Sequence, residues 1–138
     1  MTTRVVVIGP DKPVYNEATA TEAITPGMVV NRASATTVEA NDVTGLSPVE
    51  VAVENDIFGG GLDDAYASGD TVISQTLRSG CEFMGLVAAG DSTAIVYNDY
   101  VTLAAGGYVA KGTQANAIGR ARSATTGSAL QRVRVKVQ

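Results

Sequence analysis

The sequence predicts an all-β fold: a small single-domain β-sandwich or β-barrel with an extended N-terminal arm. The chain has 138 residues, which is the size of one compact domain. Hydrophobic residues make up 45% of it, but aromatic residues only 5%, and Trp is absent. The core must therefore come from Val, Ala, Leu and Ile, and Val favours strands. Fifteen glycines punctuate the chain, and turn signals recur at about ten-residue intervals, as in sandwiches and barrels.

The predicted arm covers residues 1–22, and the β domain covers residues 23–138. A short apolar run, Val5 to Ile8, is stopped by Gly9-Pro10, and the stretch that follows is polar and rich in Thr and Ala. We expect this arm to have little core character.

Turn residues divide the rest of the chain into strands. Ile24-Thr25-Pro26-Gly27 predicts a turn, because Pro presets φ and Gly tolerates a positive φ. Ser47-Pro48-Val49-Glu50 matches a helix capping box, but the valines at 49, 51 and 53 follow period two and favour a strand. The predicted strands lie at about 28–30, 38–43, 49–53, 71–77, 83–88, 94–97, 100–103, 108–110, 118–122 and 132–137.

The last strand has the clearest alternation. Val133, Val135 and Val137 point to one face, and Arg132, Arg134 and Lys136 point to the other. The favoured interpretation is an edge strand that its like charges protect against pairing with other sheets. The other interpretation is a basic stripe that contacts an acidic surface.

Charge is segregated along the chain, whose net charge is −4. Eight acids and no cations lie between Glu39 and Asp70, whereas six cations and no acids lie between Lys111 and Lys136. The two blocks are either complementary docking surfaces or solvated faces. The acidic balance argues against nucleic-acid binding as the main role. No apolar run is long enough for a bilayer and no signal peptide is evident, so we expect synthesis in a cytosol-like compartment without membrane association.

The sequence predicts no catalytic, cofactor-binding or metal site. Histidine is absent, which removes the common catalytic dyads and the commonest metal ligand. Cys81 follows a turn and is expected in the core. A remote alternative is a trimeric dUTPase-like enzyme, because residues 65–70 are similar to an early motif of that family. The other motifs of that family have no counterparts here.

The segments from Ala23 onward resemble the capsid decoration, or cement, proteins of tailed-phage heads. The likeness covers about four-fifths of the chain, and the order and spacing of unspecific turn motifs carry it. Those motifs are Ala23-Ile24-Thr25-Pro26-Gly27-Met28-Val29, Val51-Ala52-Val53-Glu54-Asn55 with Gly59-Gly60-Gly61, residues 64–72, Leu77-Arg78-Ser79-Gly80-Cys81, Ile118-Gly119-Arg120-Ala121 and Arg132-Val133-Arg134-Val135. Ser79 departs from the proline that family members tend to carry there.

The resemblance implies a compact, β-tulip-like domain, often a homotrimer, that binds the major capsid protein on the outer surface of the expanded head. It would hold neighbouring capsomers together against internal DNA pressure. The resemblance does not identify contact residues. The extended arm is expected to add a strand to a capsid sheet, so the expected capsid contacts are Arg4, Val5, Val6, Val7 and Ile8. Arg132, Arg134 and Lys136 are expected to contact an acidic surface on a sister subunit or on the head. The alternative is another virion or tail β-module, such as an adaptor or a fibre-associated domain.

Overall fold

The computed structural model describes residues 4–9, 14–41, 49–56, 59–88, 94–125 and 131–138. These residues form two β-sheets and two short 3-10 turns, Ala105–Gly107 and Gln114–Asn116. The strands are β1 (Val6–Ile8), β2 (Val14–Ala20), β3 (Val30–Arg32), β4 (Thr37–Ala40), β5 (Val49–Ala52), β6 (Thr71–Leu77), β7 (Glu82–Val87), β8 (Tyr100–Leu103), β9 (Val109–Lys111), β10 (Gly119–Ala121) and β11 (Gln131–Val137).

One sheet has six strands in the order β1-β7-β11-β10-β8-β9, and all its pairs are antiparallel. The longest pairing joins β11 to β7 over six residues of each strand, from Gln131 opposite Val87 to Lys136 opposite Glu82. Strand β11 therefore lies inside the sheet, between β7 and β10. The expectation that it is a protected edge strand is wrong, although its alternation is confirmed: Val133, Val135 and Val137 are buried.

The other sheet has five strands in the order β3-β4-β2-β6-β5. Its longest pair is β2 with β6, antiparallel from Val14 opposite Thr76 to Thr19 opposite Thr71. Strands β2 and β4 run parallel, and the other pairs are antiparallel. The predicted all-β fold is confirmed as two sheets, and the described strands do not close into a barrel.

Valine dominates the core, as predicted. The larger cluster joins both sheets and contains Phe83, Leu77, Ile95 and many buried valines of β5, β7, β8, β9 and β11. A second cluster collects small residues of β2 and β4 around Ile24, Tyr66 and Leu86. Burying one valine side chain contributes about 1.5–3 kcal/mol to stability, so many buried valines on short strands together stabilise the domain.

The turn at residues 24–27 is confirmed. The Met28 N–H donates to the carbonyl of Thr25, and Gly27 has a φ of 99°. A side chain would not fit at Gly27 because its Cβ would lie 2.6 Å from the carbonyl oxygen of Met84. The chain must therefore carry glycine here both for its backbone conformation and for space.

The predicted arm needs correction in its described part. Strand β1 pairs with β7, and β2 lies between β4 and β6 inside the five-stranded sheet. Val5, Ala18 and Ala20 are buried. Residues 4–9 and 14–22 are thus integral to the domain instead of extending from it, because pairing partners far along the chain complete their backbone hydrogen bonds.

The predicted strand at 94–97 is also wrong. Ile95 donates its N–H to the Thr125 hydroxyl and accepts from the Thr125 N–H, and the chain then turns through Asn98, whose φ is 73°. Among the strands described, β6 and β8 have the predicted limits, and β5 confirms the strand interpretation of residues 49–52. The capping-box residues 47 and 48, and residues 42–43 of another predicted strand, lie outside the described residues.

Candidate functional site

The predicted capsid-contact residues of the N-terminal segment lie at the open edge of the six-stranded sheet. Val5 is fully buried; its N–H donates to Glu54 Oε2 at 2.9 Å, and its carbonyl accepts from the Met84 N–H at 2.7 Å. Arg4 is exposed and lies 3.6 Å from a carboxylate oxygen of Asp56. Ile8 is exposed, whereas Val6 and Val7 are half-buried. Val5 is therefore a core residue, and the accessible members of the set are at its two ends.

A groove of about 480 Å³ lies beside β1, where the edge of the six-stranded sheet approaches the five-stranded sheet. Its walls are apolar at Val6, Val53 and Ile73. Its other lining residues are Arg4, Gly9, Tyr15, Glu17, Glu54, Asp56 and Gln75. Glu54 accepts the N–H of Val5, the residue just before β1, so this carboxylate satisfies a buried backbone donor beside the groove.

Two of the three cations predicted on β11, Arg132 and Arg134, bind partners within the chain. Arg132 donates from Nη1 to the carbonyl of Pro26 at 2.7 Å and from Nη2 to the carbonyl of Leu62, and its side chain is only 15% exposed. It also lies 3.3 Å from Asp63. Arg134 pairs with the buried Glu82 at 3.2 Å. Arg132 thus acts as an internal clamp: its guanidinium joins two loops to strand β11. Arg134 already has one carboxylate partner, Glu82.

Lys136 is exposed, and it lies directly opposite Arg120 in the register of β11 and β10. Like charges at opposed positions of neighbouring strands are destabilising by a few tenths of a kcal/mol or more. The described residues supply no carboxylate in an ion pair with either cation. Of the three cations predicted on β11, Lys136 is the one without a carboxylate partner among the described residues.

Two arginine–tyrosine pairs were not predicted from the sequence. The Arg120 guanidinium stacks 4.0 Å from the ring centre of Tyr100 and donates to its hydroxyl at 2.6 Å. The Arg122 guanidinium lies 5.5 Å from the ring centre of Tyr97 and donates to its hydroxyl at 3.0 Å. In the sequence, the alternation Arg120-Ala121-Arg122 repeats the cation–apolar pattern of β11, and this is the signal that places the two arginines on one face. The tyrosines could not be paired with it without the register of β10 and β8.

Two described groups have displaced pKa values. The N–H of Val96 donates to Asp99 Oδ2 at 2.9 Å and lowers the pKa of the Asp99 carboxyl, and the Lys111 ammonium at 3.2 Å acts in the same direction. Burial raises the pKa of the Tyr66 hydroxyl, and the nearby Glu54 carboxylate adds to the effect. Asp99 closes a turn, and the Tyr66 hydroxyl donates to the carbonyl of Val53 at 2.8 Å. Both groups have structural roles.

The residues that the sequence offers as candidates for chemistry have structural roles in the fold. Cys81 is buried and free, and its predicted core position is confirmed. Asp70, in the segment similar to a dUTPase motif, accepts the Ala67 N–H at 2.8 Å and closes its own turn. Within the described ranges no group of three or more potential ligands could hold a metal ion, and no helix has the length and apolarity to span a membrane.

Comparison with known proteins finds similarity in structure but not in sequence. No protein-family model matches the chain, and no curated protein matches it. Among solved structures, the fold is similar to the N base of the head fiber protein gp8.5 of bacteriophage phi29, with a TM-score of 0.57 and 13% identity. The match covers 92% of this chain and 99% of the phage chain. The two chains therefore share a fold over almost their whole lengths.

Proposed function

We propose that this chain is a structural protein of a tailed-phage virion that binds the outer surface of the expanded head and holds neighbouring capsomers together. The observation that carries the proposal is the match between its whole fold and the base of a phage head fiber. The motif order from Ala23 onward, which resembles the capsid cement proteins, supports the same location independently of the structural match.

The mechanism is mechanical and needs no reactive group. A compact domain with a rigid valine core binds several capsid subunits at once, and a homotrimer would offer three linked contacts. Linked contacts raise the overall affinity by about 10²–10⁴ over a single contact, without any new chemistry. Internal DNA pressure would then have to break several contacts together to open the shell. The major capsid protein and sister copies of this chain are the proposed partners.

A second candidate function is the base of a head fiber, which anchors a projecting fiber without reinforcing the shell. The structural neighbour, which is the N base of a head fiber, favours it. Both functions place the domain on the head, and they differ in what binding does to the shell. A cement protein stabilises the head, whereas a fiber base occupies sites and leaves head stability unchanged.

The test is a titration of purified protein against expanded, undecorated heads, followed by sedimentation. We expect saturable binding at a fixed number of copies per head and a higher temperature of DNA release from decorated heads. Unexpanded heads are the control. Saturable binding with an unchanged release temperature would favour the fiber-base function. Failure to bind expanded heads at any concentration would refute both.

A further inference from the structure

The outward face of β10 and β11 concentrates positive charge in the interior of a sheet. Arg120 and Arg122 of the β10 region lie beside Arg134 and Lys136 of β11, since Arg120 is opposite Lys136 and the Arg122 N–H donates to the Arg134 carbonyl. We call these four cations, with Tyr97 and Tyr100, the basic face. Because β11 and β10 have neighbours on both sides, this charge does not protect a sheet edge.

The charge of the basic face is poorly balanced within the chain. Glu82 pairs with Arg134, and although it lies opposite Lys136 in the β11–β7 register, it forms no ion pair with the Lys136 ammonium. The described carboxylates form no ion pair with Arg120 or Arg122. Clustered cations repel one another and cost stability in the isolated domain. A partner that supplies carboxylates would recover that cost on binding.

The two tyrosines give the face the character of a protein-binding site. Tyr97 is 63% exposed, and its neighbour Val96 is 53% exposed, so an aromatic and an aliphatic side chain project beside the cations. The stacking of Arg120 on Tyr100 and of Arg122 near Tyr97 holds the guanidinium groups in place before any partner arrives. Tyrosine and arginine dominate binding energy at protein interfaces, and preorganised side chains lose less entropy when they bind.

We propose that the basic face is the surface with which this domain docks onto an acidic protein surface of the phage head. This inference rests on the proposed function and adds which side of the domain faces the shell. Nucleic acid fits less well, because the Glu82 and Asp99 carboxylates border the cations and the chain carries a net charge of −4. A second copy of this chain is the competing occupant, because Glu17 and Glu22 are exposed and join none of the ion pairs of the described residues; the light-scattering outcome below separates the two.

The test compares head binding by wild type and by the double variant Arg120→Gln/Lys136→Gln. The control is Arg32→Gln/Arg78→Gln, which changes the net charge equally at cations outside the face. Loss of two interfacial cations is expected to weaken binding about 10- to 100-fold and to reduce its salt dependence. The control is expected to stay within about threefold of wild type. Thermal unfolding of each variant checks that it folds.

A second pair of variants tests the aromatic part of the face. Tyr97→Ala is expected to weaken head binding about tenfold or more, whereas Tyr15→Ala, which removes an equally exposed tyrosine near the groove, should leave it nearly unchanged. A larger effect of Tyr15→Ala would place the contact at the groove and overturn the inference.

The remaining outcomes separate the inference from the proposed function. If wild type binds heads and the Arg120/Lys136 variant binds equally well, the inference is wrong and the proposed function stands. If wild type does not bind heads, both are wrong. If wild type binds duplex DNA and the Arg120/Lys136 variant does not, the face is a nucleic-acid site instead. If light scattering shows an oligomer for wild type and a monomer for the variant, the face joins copies of this chain instead.

Discussion

Replacing Arg132 with methionine tests whether this arginine holds the domain together or serves an external partner. Methionine keeps most of the length and apolar surface of the side chain but removes every donor. In the structure, the guanidinium binds the carbonyls of Pro26 and Leu62, which are 106 and 70 residues away in sequence. The substitution therefore disconnects two loops from strand β11.

The expected loss follows from these bonds. A hydrogen bond to a charged group contributes about 1.5–3 kcal/mol, and two are lost, but water partly replaces them because the side chain is 15% exposed. We expect the free energy of unfolding to fall by about 2–4 kcal/mol. The ion pair with Asp63 contributes little, since that carboxylate is 96% exposed. Asp63→Asn should therefore cost less than about 0.5 kcal/mol.

The assay is urea unfolding followed by far-UV circular dichroism at one fixed protein concentration, because the chain has no tryptophan. Lys136→Met is the matched control: it removes a cation from the same face of the same strand, and we expect a change within about 0.5 kcal/mol. If Arg132→Met changes stability no more than Lys136→Met does, the clamp has no energetic role. Arg132 would then be free to make the external contact that the sequence predicts for it.

Three further predictions concern other parts of the domain. Gly27→Ala should cost about 2–4 kcal/mol, since it adds a backbone clash to the strain of a positive φ, whereas Gly80→Ala, with an equally positive φ and open space, should cost only about 1–2 kcal/mol in the same urea assay. The raised pKa of Tyr66 stabilises the fold below the ordinary tyrosine pKa of about 10, and this contribution is lost as the pH rises through the higher pKa of the folded state. Tyr66→Phe should therefore flatten the fall of stability in alkaline titrations and cost about 1–2 kcal/mol at neutral pH through the lost bond to Val53; an unchanged alkaline slope would contradict this. The Cys81 thiol should react with an aromatic disulfide reagent only after denaturation, and rapid reaction in native buffer would show that it is not in the core.

A strand can be predicted from the sequence where strand-favouring residues and flanking turn residues occur together. Residues 71–77 and 100–103 combine β-branched or aromatic residues with flanking turn residues, and they form β6 and β8 with the expected limits. The sequence does not predict strand β2, because Thr, Ala and Asn give it no apolar periodicity. It is a strand because β6 and β4 pair with it on both sides, which is a non-local cause.

The same distinction separates the predicted site residues from their observed roles. The alternation of β11 correctly predicts which side chains are buried. It cannot predict that Arg132 reaches two carbonyls from distant loops, or that Lys136 lies opposite Arg120. Those facts depend on the order of strands in the sheet. For this reason the sequence alone does not single out Arg120 and Arg122 as surface contacts, although they continue the charge pattern of the last strand.

The two charge blocks of the sequence therefore have different roles in the folded chain. Acids of the first block mostly close the protein's own structure, since they accept backbone amides or pair with nearby cations: Glu54 with Val5, Asp56 with Arg4, Asp63 with Arg132, Asp64 with Gly61 and Asp70 with Ala67. The second block keeps Arg120, Arg122 and Lys136 without carboxylate partners among the described residues. Mutual docking of the two blocks would engage carboxylates that already have partners in their own chain. The proposed docking of the basic face on an external acidic surface would instead bring carboxylates to cations that have none among the described residues.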